Sequence, residues 1–348
     1  MGSQSQRGER SRGRVRTAVG ALAAVLLLMG LGATESRAAQ SAAPATGGDV
    51  ADPTLPTPDV KPWMALAWPL SARDLAGAPA KYLFGRVPTP SGGPTEAIGF
   101  YAKGCLAGAV ALPLDGPDWQ VMRLSRNRHW GTPNLVSYIE RTAAAARQTG
   151  WPGLLVGDMS QPRGGPMPTG HASHEIGLDV DLWYDPMPAR RLSDEERETL
   201  SARSMLIPGT RDLDRTRWTP ALSQLIRVAA SDPEVERIFV HPAIKAELCR
   251  WATGDRTWLG RVRAYWGHDD HFHVRLACPP GMASCQSQKP VPPGDGCGPE
   301  LAWWFTDEPW KPAPKSDKPP PPPMLLPALP AACQTVLTEP GADLASPR

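Results

Sequence analysis

G-H-D-D-H-F-H-V-R-L, Gly267 to Leu276, places three of the chain's seven histidines within six residues. From His271 onward polar and apolar side chains alternate, and a β-strand turns its side chains to opposite faces with a period of two. Phe272, Val274 and Leu276 are therefore expected on a buried face, and His271, His273 and Arg275 on the other. Upstream, G-H-A-S-H-E-I-G-L-D-V-D-L-W, Gly170 to Trp183, repeats the device. Leu178, Val180 and Leu182 share one side, Asp179, Asp181 and Trp183 the other, and His174 sits in the turn before Gly177. Together with the helix signals described below, these two stretches predict an α+β domain. At its centre is a small antiparallel sheet that carries the ligands of a zinc ion, flanked by helices and long loops and stapled by disulfides.

Imidazole and carboxylate side chains suit zinc, and three protein ligands with a fourth position for water is the catalytic pattern. His174, Asp181 and His273 are the expected ligands, one zinc ion the expected cofactor, and a water acidified by the metal the expected nucleophile. His271 lies one residue from a ligand on the same face, placed to take or return a proton. His268 and His171 are expected to line the same cleft. A single histidine on a strand is more often a packed or surface residue than a ligand. Here five of the seven histidines fall in two clusters, each on a patterned strand with an aspartate nearby. His129 and His241 stand outside the clusters and read as structural. Asp179 reads either as a partner of a ligand or as merely polar, Glu175 as a solvated turn residue with a carboxylate base as the alternative. Ser173 has no S-x-x-K partner and reads as structural.

The N-terminus has the order of a secretory signal over residues 1–38. Arg7, Arg10, Arg12, Arg14 and Arg16 precede an apolar run from Ala18 to Ala33, and small residues follow at Ser36 to Ala39. The run is shorter than the roughly 20 residues a spanning helix needs, so cleavage and a mature chain without stable membrane insertion are expected. The full chain has 37 basic and 35 acidic residues; residues 1–38 hold six Arg and two Glu, which leaves 31 and 33, a net charge of −2. That balance removes the main support for a nucleic-acid partner. All six cysteines lie beyond the signal. An even count in an oxidising compartment reads as three disulfides in one of 15 pairings, and no C-x-x-C pair favours a thiolate metal site instead.

Residues 39–62 are poor in large apolar side chains and read as a linker. Residues 311–330 contain nine prolines, five of them consecutive at Pro319 to Pro323, and begin a Pro-rich tail over 311–348. Residues 63–310 are enough for one sizeable domain. Within it, Thr132-Pro133 and Thr219-Pro220 each place a capping residue before proline at the first helical position. Leu135, Tyr138, Ile139 and Ala143 mark the buried side of the first helix, which Gly150 stops; Leu222, Leu225, Ile226 and Ala229 mark that of the second. Leu154 to Val156 and Arg237 to Val240 read as strands, Pro242 to Trp251 as a helix.

H-A-S-H-E-I-G-L-D-V-D followed far downstream by H-D-D-H-F-H-V-R-L resembles the penicillin-insensitive murein endopeptidases. These are exported bacterial zinc peptidases of the same broad fold group as the lysostaphin-type and D-Ala-D-Ala metallopeptidases. R-I-F-V-H-P-A-I-K, G-D-M-S-Q-P-R-G-G, W-G-H-D-D-H-F-H-V-R-L-A-C-P and G-D-G-C-G extend the likeness over roughly Trp63 to Cys333. The resemblance implies a periplasmic enzyme with peptidoglycan as its partner, hydrolysing D-alanyl–meso-diaminopimelyl cross-links. By position it implies His174, Asp181 and His273 as zinc ligands and His171, His268 and His271 as further cleft histidines, His171 near a second metal in some members. Between Asp181 and Trp218 a second site would find no histidine, only acids such as Asp194, Asp212 and Asp214. Cys278 and Cys285 are near enough in sequence to close a small loop; the resemblance implies Cys249 with Cys297, which leaves Cys105 for Cys333 and ties the tail back to the domain. The rival readings are a zinc D,D-carboxypeptidase that trims terminal D-alanine and a wall-binding protein without catalysis. Oligomeric state has no signature in the sequence.

Overall fold

A computed structural model describes residues 70–312 and 322–341. The expected signal, the linker, and the centre of the proline run lie outside the described residues, as do residues 342–348. Among the described residues no helix is long and apolar enough to cross a membrane.

The chain opens with two short helices, α1 (Ala72–Gly77) and α2 (Ala80–Phe84), and a hairpin, β1 (Glu96–Phe100) with β2 (Lys103–Ala107). A second short pair joins β3 (Val110–Ala111) to β5 (Trp130–Gly131). The other strands are β4 (Trp119–Val121), β6 (Leu154–Val156), β7 (Asp179–Pro186), β8 (Val235–Val240), β9 (Val262–Ala264) and β10 (His271–Leu276). They form one sheet in the order β4-β6-β7-β10-β8-β9. The helices between them are α3 (Pro133–Gln148), α4 (Asp194–Thr199), α5 (Pro220–Ser231) and α6 (Pro242–Trp251); α7 (Pro299–Trp303) and α8 (Ala332–Thr338) follow.

The expected small antiparallel sheet is corrected by this topology. Pairing is antiparallel across β6-β7-β10-β8, but β4–β6 and β8–β9 are parallel. The cause is the connections. Each parallel pair is joined through a helix, α3 in the first case and α6 in the second, and a parallel neighbour needs such a crossover. The sheet is mixed, with six strands.

The helices begin where their caps direct. Thr132 and Thr219 accept hydrogen bonds from the backbone N–H groups of Leu135 and Leu222, with proline at the first helical position in both. Leu135, Tyr138, Ile139 and Ala143 of α3 and Leu222, Leu225, Ile226 and Ala229 of α5 are buried. They share one core with Val180, Leu182, Phe272, Val274, Ile238 and Val240. The helices thus cover the apolar face of β7, β10 and β8, and the polar face is left to a cleft. A separate, smaller core joins Leu83, Phe84 and Ile98 to Leu326, Val336 and Leu337. Three disulfides are formed, Cys105–Cys333, Cys249–Cys297 and Cys278–Cys285.

Candidate metal centre

Register builds the site. The antiparallel pairing of β10 with β7 sets His271 opposite Trp183, His273 opposite Asp181 and Arg275 opposite Asp179. With a side-chain period of two, all six project from the same face of the sheet. His174 reaches this face from the turn ahead of β7. It adopts φ +68°, a left-handed conformation that is uncommon for a residue with a side chain, so something must hold it. Its N–H donates to Asp179 Oδ2 at 3.1 Å, and its carbonyl accepts from Ser160 Oγ at 2.5 Å, while Ser160 Oγ also accepts from Gly177 N–H at 3.0 Å. The strain is concentrated where side chains converge, as is common at functional sites.

Asp181 is the hub. Its Oδ1 lies 3.4 Å from His174 Nε2, 3.4 Å from His273 Nδ1 and 3.6 Å from His271 Nε2. Its Oδ2 lies 3.5 Å from His171 Nδ1. His171, His174 and Asp181 each offer a ligand atom within 4.8 Å of the others. His174 is fully buried, yet among the described residues neither ring nitrogen has a hydrogen-bond partner, and Asp181 Oδ1 is likewise buried and unpartnered. Buried polar atoms are paired in nearly all native structures. A divalent cation among them would satisfy this donor set, which is the imidazole and carboxylate chemistry of zinc.

The surrounding groups fix the rings. His273 Nε2 is 2.9 Å from Asp179 Oδ1, which also accepts from Arg275 Nε at 2.6 Å. Burial, and next the neighbouring His174, push the His273 imidazole down to about 3, so it is neutral and can offer a lone pair at Nδ1. His171 Nε2 is held at 2.9 Å by Asp158, whose Oδ2 also accepts from Arg126 and Arg128. His271 Nδ1 lies 2.5 Å from Asp270 Oδ1. Burial opposes its charged form, but Asp181 and Asp270 outweigh burial and raise it to about 9. His268 Nδ1 is 2.8 Å from the Trp266 carbonyl, and its ring centroid is 5.1 Å from that of His271.

The structure therefore brings His171, His174, His271 and His273 around the carboxylate of Asp181, with His268 at the edge. His129 packs against Trp130, and His241 caps α6, accepting from Ala243 N–H at 3.2 Å. Glu175 is corrected: it is buried, not a solvated turn residue. Gly104 of the hairpin donates to its Oε2 at 2.9 Å, and burial raises its carboxyl to about 8. Asp158 and Asp270 were not singled out from sequence. The G-D-M-S segment and the acid directly before His271 are the signals that point to them.

Space opens on both sides of the hub. One side, about 760 Å³, is lined by Phe239, Tyr265, Trp266 and Arg237 among others; the opposite side, about 270 Å³, by Arg123, Trp183 and Asp270, and both touch His171 and His271.

The family model described as penicillin-insensitive murein endopeptidase matches residues 97–338. A penicillin-insensitive murein endopeptidase of Haemophilus influenzae is 44% identical over 256 residues, covering 73% of this chain and 86% of the relative. One of Klebsiella pneumoniae subsp. pneumoniae is 43% identical over 276 residues, covering 79% and 96%. One of Yersinia enterocolitica is 43% identical over 248 residues, covering 71% and 87%.

Proposed function

The chain belongs to the penicillin-insensitive murein endopeptidase family, and we propose that it hydrolyses D-alanyl–meso-diaminopimelyl cross-links of peptidoglycan with one zinc ion. The observation that carries this reading is the buried, unpartnered Asp181 Oδ1 with His174 Nε2 and His273 Nδ1 each 3.4 Å away. Those three residues would hold the metal. His171 Nδ1 faces the other carboxylate oxygen, and Asp158 ties its Nε2 as Asp179 ties that of His273, so it would serve as a further ligand. When bound, zinc supplies Lewis acidity that brings the pKa of a coordinated water towards neutrality.

The chain's own groups supply the rest. Asp179 keeps the His273 proton on Nε2 and thereby leaves Nδ1 free for the metal. Asp270 holds His271 Nδ1, so His271 Nε2 faces the cleft; a cation beside Asp181 would offset the carboxylate charge that raises this imidazole, and His271 would then accept a proton and return it to the departing amine. His268 sets a second imidazole at the edge of the cleft, its ring centroid 5.1 Å from that of His271. Open space on both sides of the hub supports cleavage within a cross-link, since peptide must continue past the bond in both directions. Attack without a serine nucleophile gives a β-lactam nothing to acylate. Three disulfides fit an oxidising compartment and support a periplasmic site of action.

The test is digestion of cross-linked dimeric muropeptides by the purified mature chain, read by mass spectrometry. Monomers should appear, chelator should stop their release, added zinc should restore it, and benzylpenicillin should leave it unchanged. Release of free D-alanine from pentapeptide monomers with dimers intact would replace this reading with a carboxypeptidase. Zinc-loaded protein that cleaves no muropeptide would sink the enzyme assignment and favour a wall-binding protein.

A further inference from the structure

The larger side of the cleft ends in a corner built by three neighbouring strands. The register sets Arg237 of β8 opposite Arg275 of β10, and Arg263 of β9 opposite Phe239 of β8, which itself pairs with His273. The three guanidinium groups therefore share the face that carries the metal centre. Strands about 4.8 Å apart put β9 roughly 10 Å across the sheet from β10. Gln288 lines the same space.

Each arginine is anchored by only part of its donor set. Arg275 Nε donates to Asp179, and its guanidinium lies over the Tyr101 ring, 4.1 Å from the centroid. Arg237 Nη2 donates to the Lys289 carbonyl at 2.6 Å and lies 3.8 Å from Glu236 Oε1, and Arg263 Nη2 is paired with Glu300. Arg237 Nε, Arg263 Nη1 and Gln288 Oε1 are all buried and have no hydrogen-bond partner among the described residues. A role limited to bracing the segment around Lys289 accounts for Arg237 Nη2 but leaves Nε and the Gln288 oxygen unexplained. Buried donors and acceptors left unmet are costly, and a cluster of them calls for a ligand.

The chemistry of the vacant atoms is specific. Guanidinium N–H groups match a carboxylate in charge and geometry. Gln288 Oε1 can only accept, so it suits an N–H or ammonium hydrogen. No aspartate or glutamate is among the residues lining this side, whereas Asp158, Asp181 and Asp270 line the opposite one. Donors for a carboxylate beside an acceptor for an amine describe the end of an amino acid.

We infer that Arg237, with Arg263, Arg275 and Gln288, forms a subsite for the free amino-carboxylate end of diaminopimelate in the stem peptide whose D-alanyl carbonyl is attacked. The inference rests on the murein-peptide reading above. That free end lies several bonds from the scissile carbonyl, in keeping with a corner removed from the metal centre. Arg237 and Gln288 act on binding and selectivity, not on the reacting atoms.

Two substrates decide it without relying on a variant: a cross-linked dimer, and the same dimer in which the side-chain carboxylate of the diaminopimelate in the attacked stem peptide alone is amidated. The unmodified enzyme should show a KM on the order of 10- to 100-fold higher for the amidated dimer, the worth of a charge-assisted hydrogen bond, with kcat changed much less. Arg237→Gln should raise KM for the free carboxylate and narrow the preference, whereas Gln288→Leu removes the acceptor for an amine that both dimers carry and should raise KM for both with kcat kept. A loss of structure alone would lower activity on both substrates alike. Equal KM values for the two dimers with the unmodified enzyme, or a preference kept intact in Arg237→Gln, would overturn the subsite. Calorimetry with the tripeptide L-Ala-γ-D-Glu-meso-diaminopimelate and its amide separates this from the activity reading. Tighter binding of the free acid supports the subsite even if no dimer is cleaved, and equal or absent binding of the two refutes it.

Discussion

His273 and His271 are two residues apart on one strand, but their surroundings differ, and the proposed function gives them different work. Asp179 fixes the far nitrogen of His273, while Asp270 fixes the far nitrogen of His271. His174→Ala or His273→Ala should lose zinc, whereas His271→Ala should retain it and lose about 10²–10⁴-fold in turnover, the usual contribution of a positioned base. Elemental analysis beside kcat checks the split; zinc-free His271→Ala protein would reverse the two roles. Asp179→Asn tests the support. It should weaken zinc binding by about 10–100-fold, as loss of a ligand's hydrogen-bond partner does, and competition with a chelator measures it. Unchanged affinity would mean that the 2.9 Å contact with His273 is incidental. The ligand candidates were legible because each sits in a short local pattern. The partner role of Asp179 was legible only as one of two alternatives, since nothing in L-D-V-D says that Arg275 and His273 lie across from it.

At the level of elements, alternation in β10 and β7 is what aims the polar side chains at the cleft. Phe272 is fully buried on the opposite face. Phe272→Ala should destabilise the domain by about 3–5 kcal/mol through lost transfer energy and the cavity left behind. Chemical denaturation would show it as a lower midpoint at similar slope, and an unchanged midpoint would place Phe272 outside the core. The Thr-Pro helix starts, the strand at Leu154–Val156 and the helix at Pro242–Trp251 were legible from capping and composition. The parallel pairs β4–β6 and β8–β9 were not, because direction is set by the crossover and not by the strand's own residues. The β1–β2 hairpin also escaped notice. Its paired glycines, Gly99 and Gly104, weaken the strand signal, yet a side chain at Gly104 would meet Ile176 Cγ2 at 2.3 Å, so the close approach to the histidine turn requires glycine.

For the molecule as a whole, the C-terminal segment is a structural partner of the beginning of the domain. Arg163 from the G-D-M-S-Q-P-R segment donates to the carbonyls of Val336, Leu337 and Glu339 at the end of α8, and Cys333 is joined to Cys105. Cys105→Ala with Cys333→Ala should cost about 2–5 kcal/mol, since the bridge closes a very long loop, and should expose residues 322–341 to limited proteolysis before the main sheet. Cleavage of both regions at the same rate would show that the two cores unfold together. The sequence by itself determined which side chains of β7 and β10 share the polar face, and where the main helices start. Those properties depend only on strand period and on capping within a few residues. Tertiary structure alone decided that Asp181 stands opposite His273, that Glu175 is buried under a hairpin, and that three arginines meet in one corner. These are consequences of register and strand order between segments far apart in the chain, and no local pattern carries that information.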